Sequence, residues 1–388
     1  MYRRAMAPKL LSLVKQYPVI TLTGPRQSGK TTLVRSLFPK KEYANLEALD
    51  VQERAQADPR SFLEQFPDGV ILDEIQRVPS LLSYIQVIVD ESPQKGKFIL
   101  TGSHQIELHQ AITQSLAGRT ALLCLLPLSL GELSEAHIEQ SLDEIMIRGG
   151  YPRIYNDNLD PTESYLSYFQ TYIERDVRQL VHIKDLAAFQ RFIRILAGRI
   201  GQVVNYEGMA GDVGVSSKTI KEWLSILEAS FILFRLQPYF ENFGKRIIKA
   251  PKIYFTDVGL ASYLLGIETV EQIRRDPLRG NLVENLVVLE LLKARLNQGR
   301  DPKLYYFRDA HGHEVDVIFQ SANILTPIEI KAGKTFHTDF LKNVLFFQKL
   351  VDDRAPEGFI VYTGEQEQKI GSCRLINYTH ATQIVTSQ

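Results

Sequence analysis

The chain has 388 residues, enough for two or three domains of roughly 100–200 residues each, and its hydrophobic content of 44% is enough for real cores. Lysine plus arginine and aspartate plus glutamate stand at 45 each, so no bulk basic charge announces nucleic acid, and any such surface has to be a local patch. The two cysteines, Cys124 and Cys373, lie far apart without metal-ligand spacing, which excludes a disulfide scaffold and suits a reducing cytosol.

The N-terminus begins with basic residues, but Lys9 and Lys15 interrupt its apolar run, which is too short for a signal peptide. Leu10, Leu11 and Val14 recur at helical spacing and predict a short amphipathic helix over 5–15. The longest apolar stretch, Ala121 to Leu130, contains Pro127 and falls well below the ~20 residues of a membrane span. A soluble, cytoplasmic chain with no membrane partner is therefore expected.

Val19 to Leu22 form a β-prone run that enters Gly24, Pro25, Arg26, Gln27, Ser28, Gly29, Lys30 and Thr31, a complete G-x-x-x-x-G-K-[ST]. A helical pattern from Thr32 follows. The two glycines let the backbone curl so that successive N–H groups face inward, and the helix adds its positive dipole end to the same hollow. The pattern predicts a loop that binds a nucleoside triphosphate, in which Lys30 can reach the β- and γ-phosphates and Thr31 can ligate Mg²⁺. Tyr43 to Glu47 read as a strand, and a charged helix through Val51 to Ala57 stops at Asp58-Pro59.

Val70 to Leu72 then run into Asp73 and Glu74, a buried strand ending in two carboxylates. Asp73 can hold Mg²⁺ through its water shell, and Glu74 can activate the attacking water. A helix over Leu81 to Val89 and a strand over Phe98 to Gly102 follow. Thr101 or Ser103 at that strand's end can sense the γ-phosphate or position the water, although polar strand ends are also ordinary loop chemistry. Strands alternating with helices predict a mostly parallel sheet with ligand at the C-terminal ends of its strands.

Residues 108–119 read as a helix ending at Gly118. Arg119 is then either a surface cation or an arginine aimed at the γ-phosphate of the same or a neighbouring subunit, and Arg148 in the tight turn Arg148 to Pro152 is a weaker candidate. Asp160, Pro161 and Glu163 sign the start of a further helix. Ala210, Gly214 and Ile220 have helix-turn-helix spacing, with Ser216 or Ser217 as cap. Two β-prone runs, Phe231 to Tyr239 and Lys252 to Phe255, flank a basic connection carrying Lys245, Arg246 and Lys249. Together they predict a winged helix, which binds DNA or serves as a protein docking module; Lys218 and Lys221 would join those basic residues in phosphate contacts, while Glu222 dilutes their charge.

In the last third, Glu284 lies on or beside the buried face of a helix, while strand period puts Glu314 and Asp316 on one face and Glu329 and Lys331 on one face of the next strand. Asp316 and Glu329 could supply oxygens to Mg²⁺, Glu284 could complete the site, and Lys331 could position or deprotonate the attacking water. The alternative is a half-solvated hairpin whose polar face meets water.

With these motifs assembled (TGPRQSGKTT, ILDEIQ, LTGS, SLAGR, PLSLGEL, RGGYP, ERD, VSSKTIKEWLSILE, YFTDVGLASYL, VEN, EVDVIF, IEIKAG), the chain resembles along nearly its whole length a large group of prokaryotic AAA+-type ATPases whose C-terminal half is a domain of unknown function. Its tail is similar to the PD-(D/E)xK restriction-nuclease fold, with Asp316 as the acidic residue, Glu329 and Lys331 as the E-x-K and Glu284 as the helical carboxylate; Val315 stands where the motif has proline. The resemblance implies an α/β fold. It consists of an AAA+-type P-loop NTPase parallel sheet over 1–135, a helical linker over 136–200, a winged helix over 201–268 and a restriction-endonuclease-like α/β domain over 269–388. The expected function is ATP hydrolysis that drives or gates the winged-helix and nuclease-like module, acting on DNA with an Mg²⁺- or Mn²⁺-dependent nuclease activity in prospect. The rival is an ATP-dependent switch or scaffold that holds a protein partner with an inactive nuclease fold. An oligomer is compatible with either.

Overall fold

The computed structural model describes residues 2–92, 94–103, 115–177, 185–240 and 249–386, which form two compact units. The first takes Met1–Leu128 with short returns at Ala229–Phe231 and Leu296–Arg300. It carries a parallel sheet of β1 (Val19–Thr23), β2 (Glu42–Asn45), β3 (Val70–Asp73), β4 (Phe98–Gly102) and β5 (Thr120–Cys124), in the order β2-β3-β4-β1-β5. β1, β3 and β4 are buried on both faces, which is why they read as continuous apolar runs.

Alternation along those strands divides the core in two. Val19, Leu72 and Leu100 face the helix Leu81–Glu91 through Leu81, Ile85 and Val89. Ile20, Leu22, Ile71 and Ile99 face Leu10 and Leu13 of the helix Ala7–Val14, and Leu33 and Val34 of the helix Lys30–Leu37. Each fully buried leucine of this kind contributes about 1.5–3 kcal/mol. With all five strands parallel, the loop after β1, the end of β3 and the end of β4 come to one edge of the sheet. Most of the helix expected over 108–119 lies outside the described residues.

The second unit takes Ser129–Glu228, Ile232–Arg295 and Asp301–Gln388. Asp160 caps the helix Pro161–Tyr168 through the Glu163 N–H, as its sequence signs, and a π-helical stretch Phe169–Val177 continues it. The RGGYP turn is locked from a distance: buried Asp257 accepts hydrogen bonds from Gly150 N (2.7 Å), Tyr165 OH (2.6 Å) and Leu260 N (2.9 Å). Gly149 has φ 62°, and a Cβ there would lie 2.1 Å from the Tyr165 hydroxyl and 2.3 Å from Asp257 Oδ1. Only glycine fits that corner.

The helices Tyr206–Val213 and Ser217–Ala229 meet at Gly214, and Ser216 caps the second through Thr219 N at 3.1 Å. β6 (Leu233–Pro238) and β7 (Lys252–Phe255) pair antiparallel. This hairpin is not self-contained, because β6 also runs parallel to β8 (Leu304–Arg308). It thereby joins β9 (Glu314–Ser321), β10 (Ile324–Lys331), β11 (Gly358–Tyr362), β12 (Gln368–Ile370) and β13 (Cys373–Asn377) in one sheet, ordered β12-β13-β11-β10-β9-β8-β6-β7. The segments expected as linker, winged helix and terminal domain thus share a single unit.

Candidate functional site

In the first unit the P-loop curls as its sequence requires. Gly24 has φ 144°, and a Cβ there would strike the Leu125 carbonyl oxygen at 2.2 Å. Gln27, a non-glycine residue, takes φ 62° within the curl, and Gly29 at φ 92° precedes the helix Lys30–Leu37. Lys30 is buried, and its Nζ donates to the carbonyls of Gly24 (3.0 Å) and Pro25 (2.8 Å). Burial lowers the Lys30 pKa against the opposing pull of Glu74 and Asp73. Arg26 reaches out of the loop to Glu47 at 3.7 Å, and Thr31 and Thr32 line a cavity of about 480 Å³ with Arg35 and Tyr43.

Asp73 ends β3 and gathers three hydroxyls. Thr31 donates to both of its oxygens at 2.9 and 3.1 Å, Tyr43 donates to Oδ2 at 2.7 Å, and Thr101 of β4 donates to Oδ1. The next residue, Glu74, has left-handed backbone angles, φ 56° and ψ 49°, which a non-glycine residue adopts only where its surroundings hold it there. That turn presents its Oε2 to Ser103 Oγ at 2.9 Å and to Gln76 Nε2. Burial pushes the Glu74 carboxyl up, but Lys30 and the hydrogen bonds from Gln76 and Ser103 outweigh it and hold it below its ordinary value.

The residues fit a nucleotide and its magnesium. Ser28 Oγ is buried without a protein partner inside the loop, and a hydroxyl paired with a carboxylate, Thr31 with Asp73, is the donor set that Mg²⁺ takes beside phosphate oxygens.

Arg119 is not brought to this edge. Its carbonyl accepts from Val19 N where β1 begins, so it stands at the opposite end of the sheet, about 16 Å away at ~3.3 Å per residue along the five residues of β1. Its guanidinium forks onto Asp90 at 2.6 and 2.8 Å, which corrects the expectation that it meets the γ-phosphate of its own subunit. Arg148 is held within the second unit, over the Tyr155 ring at 5.1 Å.

Three residues that sequence reasoning passed over shape the site. Tyr43 and Gln76 grip the two carboxylates. Arg4 donates to the carbonyls of Ser28 and Leu126, both at 2.6 Å, and so braces the loop from behind. The Gln two residues after Glu74 was a local signal; Tyr43 and Arg4 act across the fold and left none.

The second unit gathers the other constellation. Asp316 on β9 accepts from Ile330 N at 2.8 Å, and Glu329 on β10 pairs with Lys331 at 2.6 Å, its second oxygen buried without a hydrogen bond. Glu284, from the helix Arg279–Asn297, accepts from Tyr254 OH at 2.6 Å. Burial raises Glu284 to about 7, with Lys252 opposing, and burial together with Asp316 raises Glu329 to about 8. The expected carboxylates do meet, but the buried ammonium of Lys252 stands among them. Among the described residues no three His, Cys, Asp or Glu side chains are grouped as a metal site, and Asp316 and Glu329 have Lys252 and Lys331 as their cationic neighbours. Lys252 carried a signal, as a charge at an inward position of an otherwise apolar strand. On the helix pair, Lys218 lies 3.9 Å from Glu222 and Lys221 lies 5.2 Å from the Tyr206 ring centroid; Lys249 stands over Phe240, while Lys245 and Arg246 lie outside the described residues.

Comparison with known proteins agrees with the P-loop geometry. A family profile described as "AAA domain" matches residues 16–134, and two described as "Domain of unknown function" (DUF8612 and DUF4143) match residues 139–271 and 279–381. An uncharacterized protein of Mycobacterium tuberculosis is 32% identical over 86% of this chain and 74% of its own length, and one of Haemophilus influenzae is 25% identical over 70% of this chain and 74% of its own. Among solved structures, the Walker-type ATPase of Pyrococcus abyssi superposes with a TM-score of 0.44 at 14% identity, over 67% of this chain and 94% of that one. AMPPCP-bound DnaA from Aquifex aeolicus gives 0.30 at 12%, over 57% and 85%. The chain belongs to the family of the mycobacterial protein, with a P-loop AAA domain at its start and DUF4143 at its end.

Proposed function

We propose that the chain binds ATP at the P-loop, hydrolyses it, and uses the cycle to gate its second unit. The observation that carries this reading is the meeting, at one sheet edge, of Lys30, the Thr31-Asp73 pair and a Glu74 carboxylate held between Gln76 and Ser103. Lys30 leaves the Gly24 and Pro25 carbonyls for the β- and γ-phosphates, whose remaining oxygens meet the loop N–H groups. Thr31 and Asp73 are the residues that would hold Mg²⁺, which would supply charge neutralisation beside the phosphates. Glu74 turns its Oε2 from Gln76 and Ser103 to the attacking water and takes its proton. Phosphate release and nucleotide binding by the native chain and by Lys30→Ala test this reading. Loss of both in the variant is expected, and unchanged rate and affinity would sink it.

For the second unit we propose DNA as the partner, met by Lys218, Lys221 and the basic connection between β6 and β7. A second reading, a switch that holds a protein partner and does not cut nucleic acid, is favoured by the Lys252 ammonium among the carboxylates of the nuclease-like centre and by Glu222 beside Lys218. Turnover stimulated by DNA at low salt supports the first reading; indifference to both single- and double-stranded DNA supports the second.

A further inference from the structure

The carboxylates of β9, β10 and the helix Arg279–Asn297 require a cation, and the chain supplies its own. Lys252 is 1% exposed, and its Nζ lies 3.1 Å from Glu284 Oε1, 2.5 Å from Glu314 Oε1 and 3.8 Å from Asp316 Oδ1. An ammonium has three donors, and this one faces three carboxylates drawn from a helix and a strand. Strand period fixes its aim: Lys252 and Tyr254 share one side of β7, and Tyr254 donates to the same Glu284 oxygen. We infer that Lys252 is the resident cation of this centre, standing where a divalent metal would draw the same oxygens together. The native centre is therefore metal-free, and it becomes a divalent-metal site only when Lys252 is made neutral.

Charge decides between the two cations. Even with Glu284, Glu314, Asp316 and Glu329 all ionised, the limit most favourable to a metal, they set four formal negative charges against the three positive charges of Lys252, Lys331 and Arg308. A divalent ion added to this set overshoots to a net positive charge, and it would sit against a buried ammonium with little water to screen the repulsion. With Lys252 neutral, two negative charges remain and one divalent ion cancels them. Glu329 Oε2, buried and without a hydrogen-bond partner, is then an additional oxygen ligand.

Nothing here depends on nucleotide binding, and a Lys30→Ala background keeps the two sites apart. Mn²⁺ is titrated into the full chain carrying Lys30→Ala, without nucleotide, and followed by electron paramagnetic resonance and thermal unfolding. No saturable binding is expected while Lys252 is present. Adding Lys252→Gln is expected to create binding of about one ion per chain with a rise in Tm, and Asp316→Asn to abolish both. Saturable binding with Lys252 in place that Asp316→Asn removes would overturn the inference, as would a folded Lys252→Gln chain that binds nothing. If Lys252→Gln folds only with Mn²⁺ present, replacement of one cation by the other is seen directly. If it stays unfolded with Mn²⁺ while Lys252→Arg folds, the metal cannot stand in for the ammonium and the inference fails.

Discussion

Asp73 and Glu74 are neighbours in sequence with separate surroundings, and in the proposed cycle their roles separate accordingly. Three hydroxyls fix Asp73 in place, whereas Glu74 stands on a strained turn with its outer oxygen held by Gln76 and Ser103. Glu74→Gln is expected to keep ATP binding and to lose turnover by roughly 10²-fold or more, because it removes a proton acceptor and leaves the metal-facing pair untouched. Equilibrium binding and single-turnover hydrolysis check this; lost binding with the fold intact would mean that the two roles are reversed. Tyr43→Phe deletes one hydrogen bond to Asp73 and is expected to cost about 1 kcal/mol, read by urea unfolding. The loop, Lys30, Thr31 and the two carboxylates were legible because their signal is local. Tyr43 and Arg4 were not, since each acts through a contact 24 or more positions away, and Lys252 showed only as a charge on an apolar strand, its carboxylates lying 32 or more positions on.

Short elements of the second unit are fixed by corners that admit few residues. Gly149→Ala forces a Cβ into the Tyr165 hydroxyl and Asp257 at a left-handed φ, so a loss of about 2–4 kcal/mol is expected in thermal or urea unfolding of the full chain. The sequence announced that turn but not its purpose, because Asp257 lies more than a hundred residues on. The helix pair around Gly214 and the β6–β7 hairpin were readable from caps and period; the pairing of β6 with β8 was not, since no local pattern encodes which strand lies beside which. If the helix pair meets DNA, affinity falls with rising salt, and changing Lys218 and Lys221 to Glu weakens binding to all sequences alike, as fluorescence anisotropy at two salt concentrations would read. No binding at low salt favours the docking role.

At the scale of the whole molecule, the second unit makes stability depend on pH. Glu284, raised to about 7, and Glu329, raised to about 8, keep protons that the unfolded chain releases near the ordinary value of 4.5. The folded state then binds more protons, so the contribution of these groups falls as pH rises through that window. A falling unfolding temperature between about pH 5 and about pH 8 is expected, flattened by Glu329→Gln; a native profile already flat there would contradict it.

The parallel pairing of β6 with β8 also bears on the order in which a growing chain can complete itself. During synthesis the β6–β7 hairpin emerges some fifty residues before its partner strand, and until then it carries an open edge together with a lysine that has none of its carboxylates from β9. The reverse holds for a piece beginning near residue 270, which would present β8 as a bare edge and leave three acidic groups without their central cation. Such a piece would self-associate through that edge, so a nick in the connection after β7 releases an aggregation-prone half in place of an independent domain.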